Sequence, residues 1–138
     1  MRKTLVTSKE YTQSGFTSPA DEYAVPDLNL DNLLKRDPEA TYPARMKGDA
    51  LVEVGILDGS YLLFDRGIVP KNGYLVYVWY KEQKLIRFYK KENDRIILYT
   101  QSAKHPPIHV TGDLTLIGVI TWSMKCHTPL AFPNVKSW

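Results

Sequence analysis

Cysteine is almost missing from this 138-residue chain, where Cys126 stands alone. A single thiol excludes an intramolecular disulfide and agrees with a reducing compartment, so the expected location is cytoplasmic. Long apolar runs are missing as well. No stretch approaches the roughly 20 residues of a membrane span, and Met1-Arg2-Lys3 is not followed by the apolar core of a signal peptide. No membrane partner is expected. Charge of one sign is scarce: 18 basic against 15 acidic residues leave +3, too little by itself to argue for nucleic acid. The sequence also has no internal repeat and no low-complexity tract.

What is present fits one globular domain. A chain of this length buries roughly 68–70% of the surface it exposes when unfolded, and 43% hydrophobic with 24% charged residues is an ordinary globular composition. Nine Tyr against four Phe lean the expectation toward β structure.

Residues 1–31 show no sustained period of 3.6 or 2 and read as an extended or irregular arm. Within it, Ser14-Gly15-Phe16-Thr17-Ser18-Pro19-Ala20 is rich in turn residues, and Gly15 would let the backbone enter a narrow groove. From Asp27 to Arg36 the apolar residues Leu30, Leu33 and Leu34 follow an i, i+3, i+4 pattern, with Asp or Asn available as N-cap and basic residues expected in the last turn. That predicts one short helix, stopped by Asp37-Pro38. From Tyr42 onward the signals are strands and turns. At least five strands are expected, at 61–64, 74–80, 84–89, 95–99 and 114–120, with tight turns at Asp58-Gly59 and Lys71-Asn72-Gly73 and a hairpin around Lys81-Glu82-Gln83. Both faces of the 74–80 strand are apolar or aromatic, which places it centrally between two layers or at a dimer interface. The expected organisation is therefore an arm with a short helix over 1–41, a β core over 42–122, and a tail with apolar anchors over 123–138.

The chemistry centres on Lys47-Gly48-Asp49-Ala50-Leu51, flanked by Ala40-Thr41-Tyr42 upstream and Gly55-Ile56-Leu57-Asp58-Gly59-Ser60 downstream. With the turn at Ser14-Gly15, the segment from Asp27 to Leu34, and the strand at Ile86-Arg87, these landmarks resemble the LexA-like self-cleaving serine peptidases, most closely their UmuD-like members. The resemblance covers roughly residues 14 to 122. It implies a mostly β, peptidase-like fold with an extended N-terminal arm, a homodimer, a cut within the arm stimulated by RecA filament, and binding to a UmuC-type polymerase subunit in SOS mutagenesis. The length is expected to leave no room for a DNA-reading helix-turn-helix domain, which disfavours a repressor.

Family chemistry pairs a serine nucleophile with a neutral lysine as general base, the lysine pKa being lowered by desolvation. By this resemblance the serine position holds Ala50, which has no oxygen to attack a carbonyl. The lysine position holds Arg87, which cannot lose its proton in a protein. No intact catalytic residue is therefore expected. Gly48, Asp49 and Leu51 would be retained groove scaffold, and the cleavage-site-like bond would be Ser14-Gly15, open to cutting by an active relative in a mixed dimer. Ser60, Lys84 and Lys90 are the alternatives if the alignment is shifted. Ser60 reads as a turn hydroxyl, and the two lysines lie an odd number of residues from Arg87, on the opposite face of a strand.

No cofactor or metal is expected. His105-Pro106-Pro107-Ile108-His109 has a ligand-like spacing, but its prolines forbid the helix that would put both rings on one face. Cys126 and His127 are adjacent and point apart in an extended chain. Lys81, Lys84, Arg87, Lys90, Lys91 and Arg95, interleaved with Trp79, Tyr80, Phe88 and Tyr89, would suit single-stranded nucleic acid. A solvated β edge protected by lysines explains the same pattern and is the preferred reading. Three functions remain open: an inactive UmuD-like accessory protein, an active self-cleaving peptidase of the same fold, and a phage or plasmid regulator that forms mixed dimers with UmuD- or LexA-type subunits.

Overall fold

Strand-forming stretches, joined twice by two-residue turns and otherwise by longer loops, give the chain its architecture. The computed structural model describes Tyr23 and residues 28–135, so the Ser14-Gly15 bond lies outside the described residues. The elements are α1 (Leu30–Leu34), β1 (Thr41–Arg45), β2 (Tyr61–Asp65), β3 (Leu75–Tyr80), β4 (Gln83–Glu92), β5 (Arg95–Tyr99), β6 (Ile108–His109) and β7 (Leu114–Met124). They form one sheet in the order β1-β2-β7-β3-β4-β5-β6, antiparallel at every pairing. The mostly β expectation holds, and all five expected strands are present.

Two hairpin turns fix the register of the β3–β4–β5 half. Lys81 and Glu82 take φ of 49° and 65°, and Asn93 and Asp94 take 50° and 63°, the type I′ geometry that matches strand twist. The pairs Tyr80↔Gln83 and Glu92↔Arg95 close the two turns. Asn and Asp tolerate positive φ, whereas Lys81-Glu82 adopts it without that help, so long-range pairing rather than local preference sets the first hairpin.

Side-chain alternation along β3 divides the core. Leu75 and Tyr77 join a cluster built on Met46, Ala50, Leu51, Ile56, Leu62 and Ile86. Val76 and Val78 point the other way, into a cluster with Leu98 and Val119. The strand thus lies centrally between two layers, the first of the two expectations for it. Tyr80, buried at the end of β3, accepts a hydrogen bond at its hydroxyl from the Thr111 N–H at 3.0 Å, which satisfies its polar tip.

β7 links the two halves of the sheet and needs irregularities to do so. Its register slips by one residue against β2 between Leu63 and Phe64 and against β3 between Tyr77 and Val78, as β-bulges do. Between the two slips sits Gly118, where an added Cβ would lie 2.6 Å from Phe64 Cδ2 and 3.1 Å from the Asp65 carbonyl oxygen. The second neighbour is backbone and cannot rotate away. Gly118→Ala is therefore expected to destabilise by about 1–3 kcal/mol, as overpacking does, read as a lower urea midpoint with an unchanged slope.

Several local expectations need correction. The helix is one turn, capped by the Asn29 side chain, which accepts from the N–H groups of Asp31 and Asn32. It ends before Asp37-Pro38, and no basic residue lies in its last turn. Lys35 is already extended, so that Arg36 reaches Asp65 on β2 instead of capping the helix. Toward the C-terminus, β7 runs on to Met124, followed by a 3-10 turn over Pro129–Ala131. Leu130 and Phe132 there are exposed, not anchoring.

Candidate functional site

The loop between β1 and β2 is held shut at its base by an extension of their ladder. Met46 N–H donates to the Ser60 carbonyl at 2.8 Å, Gly59 N–H returns a bond to the Met46 carbonyl at 2.8 Å, and Gly48 N–H donates to Asp58 Oδ1 at 2.7 Å. Gly48 (φ 92°) and Gly55 (φ 86°) make the left-handed bends that only glycine takes at little cost. Between them Ala50, 4% exposed, and Leu51, 1% exposed, turn into the core. A 3-10 turn over Val52–Val54 returns the chain, and Ile56 N–H closes onto the Leu51 carbonyl at 3.1 Å.

This loop faces β4 across a cleft of about 280 Å³. Arg45, Lys47, Gly48, Asp49 and Ala50 form one wall, and Lys84, Leu85, Ile86 and Arg87 the other, with Tyr77 and His105 completing it. Ala50 and Arg87, far apart in sequence, thus share one cleft with Gly48 and Asp49. Leu51 lies beneath it, packed in the core. Arg87 is half-buried, and its Nη1 donates to the carbonyl of its own neighbour Ile86 at 2.9 Å. Burial pulls the guanidinium below its ordinary pKa, yet arginine starts so high that it stays protonated.

Lys84 also lines the cleft although the strand pleat puts it on the face opposite Arg87. The face argument against Lys84 therefore fails as stated, because the cleft wraps the strand edge and takes residues from both faces. Lys84 is nevertheless exposed, whereas Arg87 is half-buried. Lys90 is elsewhere, in a depression shared with Asn72, Ile97, Tyr99 and His109. Ser60 is buried, and its Oγ accepts from the Leu57 N–H at 3.1 Å, a turn hydroxyl that does not line the cleft.

The sequence offers His105 only as a metal-ligand candidate, and its place in the cleft escaped that pattern. His105 Nε2 lies 2.8 Å from Asp49 Oδ1, and Lys104 Nζ is 3.8 Å from Asp49 Oδ2. The hydrogen bond to His105 is the main reason that the Asp49 carboxyl titrates below its ordinary range; desolvation opposes it, and the charges of His105 and Lys104 add to it. The two partners are 56 positions apart, a pairing that no local pattern announces. His105 and His109 are thereby separated, the second lying on β6. Among the described residues, no group of three or more His, Cys, Asp or Glu is placed to hold a metal, and no helix is long and apolar enough to cross a membrane.

The basic hairpin residues do not make one surface. Lys84 and Arg87 belong to the cleft, Lys90 pairs with Glu92 at 3.5 Å, and of the interleaved aromatics Tyr80 is buried while Trp79 is exposed.

Comparison with known proteins bears on the family and the fold. Over 77 residues the chain is 32% identical to a LexA repressor of Leptospira interrogans serogroup Icterohaemorrhagiae, a stretch that is 56% of this chain and 37% of that repressor. Over 64 residues it is 36% identical to protein ImpA of Salmonella typhimurium, covering 46% of this chain and 44% of ImpA. Protein ImpA of Shigella flexneri matches to the same extent. The matched stretch is thus less than half the length of each relative. The profile described as Peptidase S24-like matches residues 7–121, most of the chain, and the chain belongs to the Peptidase S24-like family.

Proposed function

We propose that the chain is a catalytically silent, UmuD-like member of its family whose cleft holds an extended segment without cutting it. The observation that carries this reading is the pairing of Ala50 with Arg87 in one cleft. Hydrolysis by this family's chemistry needs an oxygen nucleophile and a group that can take its proton; a methyl group and a permanently charged guanidinium supply neither. Arg87 is also the half-buried basic residue of the β4 wall, in the desolvated position that suits a lysine base.

On this reading the protein is a cytoplasmic homodimer acting in damage-induced DNA repair and mutagenesis. A UmuC-type polymerase subunit and RecA filament are its partners, and Gly48, Asp49 and Leu51 keep the groove in shape. The segment around Ser14 and Gly15 docks in the groove of the same chain or of a second subunit, and in a mixed dimer an active relative cuts it. Mass spectrometry tests the silent state. After incubation at alkaline pH, or with RecA filament, the N terminus is expected to stay intact, and a product beginning at Gly15 would overturn the proposal.

A further inference from the structure

The β4 wall of the cleft is an unfinished sheet edge among the described residues. β3 covers one side of Gln83–Arg87, but β5 begins to pair only at Phe88↔Tyr99. The two-residue hairpin decides which backbone groups are left over. Gln83 closes the turn against Tyr80, and Tyr89 exchanges hydrogen bonds with Tyr74 and Gly73. By the two-residue period of an antiparallel ladder, Leu85 and Arg87 also bond toward β3, while Lys84 and Ile86 present their N–H and C=O outward. The Ile86 carbonyl is the acceptor that Arg87 Nη1 occupies.

Charge at this edge is one-sided. Among the described residues Asp49 is the only acidic one lining the cleft, and His105 and Lys104 already hold it. Arg87, Lys47 and Lys84 have no carboxylate within ion-pair distance among the described residues. Arg87 is the telling member, because a half-buried guanidinium has given up part of its hydration and has one backbone carbonyl in return.

We propose that the cleft is a receptor for an extended acidic peptide, one that lies along the free edge of β4 and sets an Asp or Glu side chain on Arg87. The inference rests on the reading that this cleft holds without cutting, and it names an occupant besides the segment around Ser14 and Gly15, since residues 12–20 carry no carboxylate to offer Arg87. An added strand supplies the N–H that the Ile86 carbonyl needs. That frees the arginine fork to meet a carboxylate in the bidentate geometry it matches best. Lys47 and Lys84 at the rim add attraction of the same sign. A nucleic acid would be drawn by the same charge, but it has no ladder of donors and acceptors to match Lys84 and Ile86. The peptide is therefore favoured.

The test is an NMR titration of the full chain with acetyl-Val-Ala-Glu-Ala-Val-amide, with the same peptide carrying Gln for Glu, and with oligothymidylate. The Glu peptide is expected to bind on the order of ten-fold tighter than the Gln peptide, the worth of one charge-assisted contact. It should shift the amides of Lys84 and Ile86 and the Nε–H of Arg87. Arg87→Gln should bring the two peptides to equal affinity. The Nε–H shift in the unaltered chain gives the same answer if that variant does not fold. Equal binding of both peptides to the unaltered chain overturns the acid preference, and so does binding of oligothymidylate alone or of nothing at the cleft. Mass spectrometry of the same samples keeps the two ideas apart: a chain cut at Gly15 refutes the silent reading whatever the peptides do.

Discussion

The double variant A50S/R87K is expected to cut its own arm, whereas neither single variant does. Ala50→Ser returns an oxygen to the loop between β1 and β2, but a hydroxyl keeps its proton near neutrality unless a neighbour takes it. Arg87 cannot be that neighbour. Arg87→Lys alone provides a group able to lose its proton, with nothing to activate. Nucleophile and base act as a unit, so removing either costs nearly as much as removing both; the double variant should exceed each single one by at least about 10³-fold. The same burial that lowers the Arg87 guanidinium would lower a lysine there. Cleavage should therefore rise with pH through that lysine's depressed pKa as the amine becomes neutral. The measurement is the rate at which a fragment beginning at Gly15 appears by mass spectrometry. If A50S alone cuts as fast as the double variant, another residue, with Lys84 the first suspect, is the base. A folded but inert double variant would mean that the cleft no longer presents the arm for attack.

How legible this site was depends on how far apart its parts lie in the chain. Ala50 and Gly48 sit in one short loop whose glycine spacing is visible in sequence, and Arg87 lies in a strand marked by aromatic and β-branched neighbours. The strands expected at 61–64, 74–80, 84–89, 95–99 and 114–120 were likewise readable, because each carries its own pattern, although β4 and β7 run on to Glu92 and Met124. β1 was not, since Pro43 interrupts Thr41–Arg45 and proline is tolerated only where a strand has a free side; among the described residues β1 is one edge of the sheet. β6 is two residues long after Pro106-Pro107, too short to show a period. Two of the pairings that tie distant segments together, His105 with Asp49 and Arg36 with Asp65, span 56 and 29 positions. Such contacts follow from sheet order, which no stretch of sequence encodes by itself. The edge of β4 left open among the described residues has the same origin, because it exists only where β5 starts to pair later than β3 does.

Of those pairings, Arg36 with Asp65 carries the larger stability effect. Asp65 ends β2 at 1% exposure and would be costly to ionise there alone. Arg36 meets it with two hydrogen bonds of 2.9 Å, and the Gly67 N–H adds a third at 2.7 Å. The bond from Arg36 is the main cause that holds the Asp65 carboxyl below its ordinary range; burial opposes it, and the N–H groups of Gly67 and Ile68 assist. A folded-state pKa below the unfolded one means that the pair contributes fully above the unfolded value of about 3.9. The contribution is lost as pH falls through the depressed folded value. Asp65→Asn keeps the shape and removes the charge. It should cost about 3 kcal/mol at neutral pH, the low end for breaking a buried ion pair, since Arg36 can turn to water. Urea unfolding at neutral pH and at a series of pH values descending from about 4, through the depressed folded value, measures both the size and the sign. The gap between parent and variant should close on acidification, because the parent then loses the same charge. A gap that persists unchanged in acid would assign the loss to packing around Gly67, and the segment from Arg36 to Ala40 would then be held to β2 by its backbone bond from Arg66 to Ala40 and not by the ion pair.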